Sequence, residues 1–188
     1  PPTVDSWEMV KAAGDDRALF NGVNRTLDND DVATFKSGFG VAKFTNFKTD
    51  GSAGHDATFP DADFFLMRAA EAYLNFAEAD ARINGGQTTK EGTEAINAIR
   101  KRANASPRED KGYSLNDICD EWSREFYFEG RRRMDLIRFN RFGGNVNYNW
   151  QWKGGTKEGR NFSKDLNIFA IPTNELTSNK NLIQNPGY

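Results

Sequence analysis

Three aromatic residues, Tyr148, Trp150 and Trp152, alternate with polar residues toward the end of the sequence. In an extended segment, residues two apart share a face and lie about 6.6–7 Å apart along the strand. Three flat rings on one face could therefore stack on the apolar C–H faces of successive pyranose rings. The amide side chains beside them could hydrogen-bond sugar hydroxyls: Asn147, Asn149 and Gln151. The alternative is that the three rings are structural and cover the exposed side of helices, and the spacing fits both interpretations.

Three consecutive arginines, Arg131, Arg132 and Arg133, make the sequence locally basic. Such a run could contact phosphate or nucleic acid. Acidic residues dilute it, since Glu129 precedes Arg133 by four residues. Asp135 follows Arg131 by the same interval, and this spacing favours ion pairs on a helix surface. We therefore expect these arginines to form local ion pairs and expect no nucleic-acid partner.

Pairs of carboxylates that could hydrolyse a glycoside occur, but none has a distinctive context. Glycoside hydrolysis requires two carboxyl groups placed across a cleft. Glu71 and Glu78, or Asp61 and Asp63, stand out only because the chain has 27 acidic residues. The sequence therefore predicts no catalytic residue.

Metal-ligating residues are sparse, because the chain has one histidine and one cysteine. The acidic stretch 28–31 resembles the start of a calcium loop, but Ala33 and Phe39 stand where the EF-hand pattern needs Gly and Glu. His55 lies in a Gly/Asp-rich loop without a nucleophilic neighbour, and Cys119 has the context of a small buried apolar residue. We expect no metal site and no cofactor.

Composition places the chain among globular proteins of one domain or two small ones. It has 188 residues, a net charge of −2, a pI near 5.6 and a mean hydropathy of −0.76. Aromatic residues make up 13%, which is enough to build a core. The longest apolar run, 64–67, ends at Arg68 and is far shorter than the ~20 residues that a membrane-spanning helix needs.

Two stretches with helical periodicity follow each other closely. Over 64–84, apolar residues recur at helical spacing, with Asp63 as a candidate N-cap and two glycines at the end. A second helix is predicted to begin with a capping box at Thr88 and Glu91 and to end near Pro107. Alanines on both helices would allow a close approach across the short turn. The pattern is typical of a tetratricopeptide-like helix pair.

A longer third helix is predicted over 115–142, capped by Ser114 and Asp117. Gly130 lies in its middle and predicts a kink or break, because glycine destabilises a helix interior by about 1 kcal/mol. The flanks are expected to be irregular, with a short helical piece at 7–11. Extended segments are predicted at 38–47 and 165–172.

Several blocks of the sequence resemble the SusD/RagB family. The first predicted helix contains FLMRAAEAYLNFAEA, and AINAIRKRA follows in the second. The third contains EWSREFYFEGRRRMDLIRF, the most recognisable of the blocks. Near the C-terminus, FAIP at 169–172 is followed by NLIQNPGY at 181–188. Their order along the chain is that of the family.

The resemblance implies a mainly α-helical fold with a tetratricopeptide-like pair, a long third helix, irregular loops and a few short strands. It further implies an outward-facing outer-membrane lipoprotein of Bacteroidota that is not an enzyme. Such a protein binds glycans and delivers them to a SusC-like TonB-dependent transporter. Residues 1–188 would form one domain from the C-terminal part, without the N-terminal part and the lipid-attachment cysteine. The alternative is an interaction or scaffold module that contacts the transporter without binding sugar itself.

Overall fold

The computed structural model describes residues 9–12, 14–56, 58–144 and 147–188. Within them the fold is mainly helical with a few short strands, which confirms the predicted fold class. The chain divides into two compact units, Pro1–Arg132 and Arg133–Tyr188. The prediction of one domain over 1–188 stays a prediction. The elements are β1 (Met9–Ala12), β2 (Asp15–Asn21), β3 (Gly40–Val41), α1 (Ala69–Ile83), α2 (Lys90–Arg102), α3 (Leu115–Phe126), α4 (Arg132–Arg138) and α5 (Thr173–Ser178), with short 3-10 helices at Lys153–Gly155 and Lys164–Asn167.

The three strands form an antiparallel sheet in the order β1-β2-β3. Phe20 of β2 pairs with Val41 of β3, so the extended segment predicted at 38–47 is confirmed in part. The helical prediction at 7–11 is wrong where it can be compared, because 9–12 form β1; residues 7 and 8 lie outside the described residues. Sheet pairing with β2 decides the conformation of this segment. None of the helices in the described ranges is long and apolar enough to cross a membrane.

The first two helices pack through small and aliphatic side chains, as the sequence predicts for a tetratricopeptide-like pair. Alanine on both helices lets their axes approach closely. Burial of the apolar faces of the two helices against each other supplies most of the stability of such helices. The buried residues of the pair include Leu74, Ala77 and Ala81 of α1 and Ala95, Ile96 and Ile99 of α2.

The predicted start of α1 is wrong. The helix begins at Ala69, and Arg68 stands at its N-cap in an extended conformation, with φ −150° and ψ 158°. The Arg68 guanidinium donates hydrogen bonds to the carboxylates of Glu125 and Glu129. These distant contacts fix the backbone before α1, and Asp63 does not cap the helix.

The predicted capping box of α2 is also wrong. The helix begins at Lys90, and the Thr88 hydroxyl accepts a hydrogen bond from the Tyr113 N–H at 2.8 Å. The Asp80 carboxylate of α1 accepts from the Thr89 N–H at 2.6 Å. A side chain from the neighbouring helix therefore binds the backbone donor at the start of α2.

The third predicted helix is two helices. Its start is confirmed, since Ser114 and Asp117 form a reciprocal capping box at the beginning of α3. α3 ends at Phe126, and α4 begins at Arg132. Between them Phe128 and Gly130 have left-handed backbones, with φ of 58° and 75°. A left-handed residue cannot continue a right-handed helix, so the break falls where Gly130 predicts it.

Three glutamates spaced four residues apart form a buried carboxylate row: Glu121 and Glu125 of α3, and Glu129 after its end. Their exposed fractions are 0%, 3% and 8%. Cations from four separate segments surround the row, and each forms an ion pair with one or two of its members: Arg17, Lys43, Arg68, Arg100 and Arg102. The row thus joins the sheet, both helices of the pair and the loops to α3.

The local ion pairs predicted for Glu129 and Arg131 are replaced by distant ones. Glu129 binds Arg68 and Lys43, and Arg131 binds Glu71 of α1 at 2.5 Å. The reason is that the segment from Tyr127 to Arg131 is not helical, so the i,i+4 interval has no structural meaning there.

The second unit contains α4 from Arg133 onward, the 3-10 helices Lys153–Gly155 and Lys164–Asn167, and α5. Phe142 and Phe162 meet edge to face with their centroids 4.9 Å apart, and Leu136 of α4 is buried. The extended segment predicted at 165–172 begins with a 3-10 helix, Lys164–Asn167, so its first part is wrong. α5 has no counterpart in the predictions, because its six residues are too few to show helical periodicity.

The capping residue Asp117 gives a pH-dependent contribution to stability. The Arg108 guanidinium binds both oxygens of the Asp117 carboxyl at 2.7 and 2.9 Å, and this hydrogen bonding lowers the pKa of Asp117 well below its ordinary value. A carboxyl with a lowered folded-state pKa stabilises the protein above its unfolded pKa of about 3.9 and loses that contribution as the pH falls through the folded value. Asp117→Asn should therefore lower the free energy of unfolding at neutral pH. The difference in free energy of unfolding between the variant and the wild type should become smaller below about pH 4.

Urea denaturation of both proteins at several pH values checks this expectation. Glu94→Gln is the matched control, because the Glu94 side chain is 64% exposed and its ion pair with Lys90 is long, at 3.9 Å. A gap for Asp117→Asn that stays constant as the pH falls would contradict the assignment.

Candidate functional site

The three candidate aromatic residues occupy two kinds of backbone. Tyr148 and Trp150 lie in a stretch without regular secondary structure, whereas Trp152 has a left-handed backbone, with φ 67° and ψ 6°, directly before the 3-10 helix Lys153–Gly155. The left-handed turn ends the alternation on which a face of three rings was predicted. Tyr148 and Trp152 are half-buried, and Trp150 is 39% exposed.

The structure brings two of the three rings together. The Tyr148 and Trp150 ring centroids are 6.3 Å apart, and the ring planes are inclined by 66°. This edge-to-face arrangement is a favourable contact between aromatic rings. The Tyr148 and Trp150 rings therefore form a corner and not a flat platform, and we call this pair of rings the aromatic corner. The Trp150 indole, which is partly exposed, is its ring available for stacking.

Two cations lie against this corner. The Arg141 guanidinium is 4.6 Å from the centroid of the Tyr148 ring, and the Lys153 ammonium is 4.8 Å from that of Trp150. Lys153 also donates a hydrogen bond to the Tyr148 carbonyl at 2.7 Å. Sequence reasoning missed Lys153. The available signal was a lysine between a tryptophan and two glycines, where the nearest carboxylate in sequence, that of Glu158, is five residues away.

The backbone after Trp150 is fixed by its own hydrogen bonds. The Lys153 N–H donates to the Trp150 carbonyl at 3.1 Å, and the Arg160 N–H donates to the Lys153 carbonyl at 2.8 Å. Gly159 lies so close that a Cβ there would overlap the Trp150 carbonyl oxygen. The segment after Trp150, up to Arg160, is therefore a tightly closed loop that supports the aromatic corner.

A second concave region lies in the first unit, beside the carboxylate row. It is a cavity of about 360 Å³ lined by aromatic and charged residues, among them Arg17, Lys43, Phe65, Arg68, Glu125, Tyr127 and Glu129. Burial disfavours ionisation of Glu129, but hydrogen bonds from Arg68 and Lys43 outweigh it and lower its pKa. A glycosidase acid needs a raised pKa, so Glu129 has the opposite property.

The consecutive arginines hold the structure together within their own units. The Arg131 guanidinium lies 4.6 Å from the Trp122 ring centroid, and Arg132 donates to the Cys119 carbonyl at 3.0 Å. In the second unit, the Arg133 guanidinium lies 3.9 Å from the centroid of the Phe169 ring. These contacts account for the basic run without a phosphate ligand.

The residues considered for metal binding have other surroundings. Asp31 accepts hydrogen bonds from the Thr34 hydroxyl at 2.7 Å and the Ala33 N–H at 2.9 Å, so its carboxylate closes a turn. His55 is exposed, and Cys119 is fully buried, as predicted. Over the described ranges, no group of three or more His, Cys, Asp or Glu residues could hold a metal ion.

Comparison with solved structures identifies the architecture. Surface glycan-binding protein A from Bacteroides thetaiotaomicron is 25% identical, covering 81% of this chain and 31% of its own, with a TM-score of 0.59. The structure of a surface glycan-binding protein A from the same organism in complex with laminarihexaose gives a TM-score of 0.63 at 18% identity. It covers 98% of this chain and 44% of its own, and at that identity the likeness concerns the fold alone.

Comparison at the level of sequence is more specific. The starch-binding protein SusD of Bacteroides thetaiotaomicron is 44% identical over 185 residues, which is 96% of this chain and 32% of that protein. The chain thus spans about a third of the length of this curated relative. The profile of the SusD family matches residues 5–188, and the chain therefore belongs to the SusD family.

Proposed function

We propose that this chain is part of a non-catalytic glycan-binding protein at the bacterial cell surface, which passes glycans to a SusC-like TonB-dependent transporter. The observation that carries the proposal is the 44% identity to a starch-binding protein along 96% of the chain. Membership of the SusD family supports the outer-membrane location and the transporter partner.

In this proposal the aromatic corner contacts the glycan. The Trp150 indole receives the apolar face of a pyranose, and Tyr148 limits the space beside it. Trp152 follows in the same segment and also contacts the glycan in this proposal. Because its backbone is left-handed, its ring does not continue the face formed by Tyr148 and Trp150. A sugar that covers the Trp150 indole, which is 39% exposed, buries apolar surface of both partners, and that burial favours binding.

Affinity electrophoresis in gels containing amylopectin or laminarin tests the proposal, since starch and laminarihexaose are the glycans named for the relatives. We expect retention of the wild-type protein on at least one glycan. Trp150→Ala should weaken binding about tenfold or more, because a lost stacking contact of about 1.4 kcal/mol corresponds to a factor of ten. The fold should be kept, because Trp150 is 39% exposed.

Phe59→Ala is the matched control, since this ring is 73% exposed and lies outside the aromatic segment. Its retention should equal that of wild type. Equal retention of Trp150→Ala and wild type would remove Trp150 from the site. Absence of retention on every glycan tested would remove the glycan-binding assignment for this chain.

A scaffold role in contact with the transporter is the second candidate, and one observation favours it. The segment from Phe64 to Met67 exposes its apolar side chains, with Leu66 and Met67 each 84% exposed. Contiguous exposed apolar surface marks protein–protein contacts. Co-purification with the transporter, together with no glycan retention by this chain, would support this role over the first.

A further inference from the structure

Lys153 has an unusual environment for a lysine. Its exposed fraction is 1%, and within the described parts of the chain no carboxylate lies within ion-pair distance of it. Lysine is almost never fully buried without a partner, because removing an ammonium group from water is costly. The contacts of this buried ammonium must therefore offset the cost of removing it from water, and they point to a specific role for the side chain.

Among the described residues, the ammonium contacts the Tyr148 carbonyl, the Trp150 ring and the residues around them. It donates to the Tyr148 carbonyl at 2.7 Å and lies 4.8 Å from the Trp150 ring centroid. It is also 5.1 Å from the centroid of the Phe162 ring, and the Arg141 carbonyl is 3.5 Å away. One cation thus binds Tyr148 through its backbone and Trp150 through its ring.

The position of Lys153 is itself determined by the closed loop. Its own N–H and carbonyl are both used, by the Trp150 carbonyl and the Arg160 N–H. Burial also lowers the pKa of Lys153, as expected for an ammonium held away from water. The side chain therefore starts from a fixed point and reaches back to the Trp150 ring and the Tyr148 carbonyl.

We propose that Lys153 is a positioning residue for glycan binding, whose buried ammonium covers one face of the Trp150 indole and fixes the ring against Tyr148. The opposite face of the indole is then the one that receives a pyranose. Held in this way before the ligand arrives, the rings lose little conformational freedom on binding. This inference rests on the proposed glycan-binding function.

Two substitutions separate the charge from the bulk of the side chain. Lys153→Met keeps the length of the stem and removes the ammonium, whereas Lys153→Arg keeps a cation at the same place. We expect Lys153→Met to weaken glycan binding about tenfold, by the loss of a fixed ring orientation worth about 1.4 kcal/mol. Lys153→Arg should restore a substantial part of that affinity, and thermal unfolding should show both variants folded.

A double-mutant cycle measures the coupling between Lys153 and Trp150 in glycan affinity, and a merely structural role of Lys153 would not produce such coupling. Each Lys153 variant is combined with Trp150→Ala, and affinities are measured by titration with soluble oligosaccharides of the glycan that retains the wild type. If Lys153 acts through the indole, Lys153→Met should have little further effect in the Trp150→Ala background. An equal loss in both backgrounds would overturn the proposal. If Lys153→Met does not fold, Lys153→Gln, which keeps a donor for the Tyr148 carbonyl, replaces it in the cycle.

The outcomes distinguish this inference from the proposed function. No binding by the wild type contradicts the function. Weakened binding by Trp150→Ala with full binding by Lys153→Met keeps the function and rejects the positioning role.

Discussion

Replacement of Glu125 by alanine is expected to lower the free energy of unfolding by about 3–5 kcal/mol, the range for breaking a buried ion pair from one side. The Glu125 side chain is 2% exposed and accepts hydrogen bonds from Arg17, Arg68 and Arg102. Its loss removes one carboxylate partner from Arg17, which keeps Asp15 and Glu121, and one from Arg68, which keeps Glu129. The excess of positive charge left around the buried row, rather than the lost attraction alone, accounts for the size of the effect.

Urea denaturation followed by circular dichroism measures this loss. Glu94→Ala is the matched control, because Glu94 is also a helical glutamate but its side chain is 64% exposed. The control should change the free energy of unfolding by less than about 1 kcal/mol. A loss for Glu125→Ala no larger than that of the control would show that the carboxylate row contributes little.

Trp122→Ala is expected to destabilise the first unit as strongly, by about 3–5 kcal/mol, because it leaves a large cavity. Trp122 is fully buried in α3, and its ring lies 5.2 Å from that of Phe126. Its indole N–H also donates to Glu78 at 2.9 Å, so the substitution removes a hydrogen bond from a buried carboxylate. Loss of this size is a large fraction of the 5–15 kcal/mol that stabilises a typical domain.

Trp122→Phe separates the two contributions to this effect. It keeps much of the ring volume but removes the N–H donor, so its cost should fall between those of wild type and Trp122→Ala. Thermal unfolding and urea denaturation of both variants provide the comparison. Trp150→Ala, which removes a partly exposed tryptophan, should have a far smaller effect on unfolding. Similar costs for all three variants would contradict the central place of Trp122 in the core.

Periodicity predicted the helices because their buried faces are local patterns. Alanine and isoleucine at helical intervals were sufficient for α1 and α2. The starts of both helices were missed because side chains distant in sequence decide them, Arg68 through the carboxylate row and Asp80 through the Thr89 N–H. Only the cap of α3, in which Ser114 and Asp117 bind each other, is local enough to be found in the sequence.

The candidate site was predictable to the same degree. The alternation predicted Tyr148 and Trp150 side by side, and their ring centroids are 6.3 Å apart, although the rings meet edge to face and do not share one flat face. It could not foresee the left-handed backbone of Trp152, which depends on the closed loop that follows. Nor could it foresee that Lys153 is buried against the Trp150 ring, because lysine is expected at the surface unless its surroundings are known.

The buried thiol of Cys119 makes the local opening of the first unit measurable by chemical labelling. Cys119 is the sole cysteine and is fully enclosed in the described structure, so a thiol-specific reagent can react with it only when the surrounding helices separate. Where opening and closing are fast compared with the chemistry, the rate of labelling is proportional to the population of the open form. The time course of a single sulfhydryl reaction therefore reports the local opening of α3 under native conditions, with no dye or tag attached.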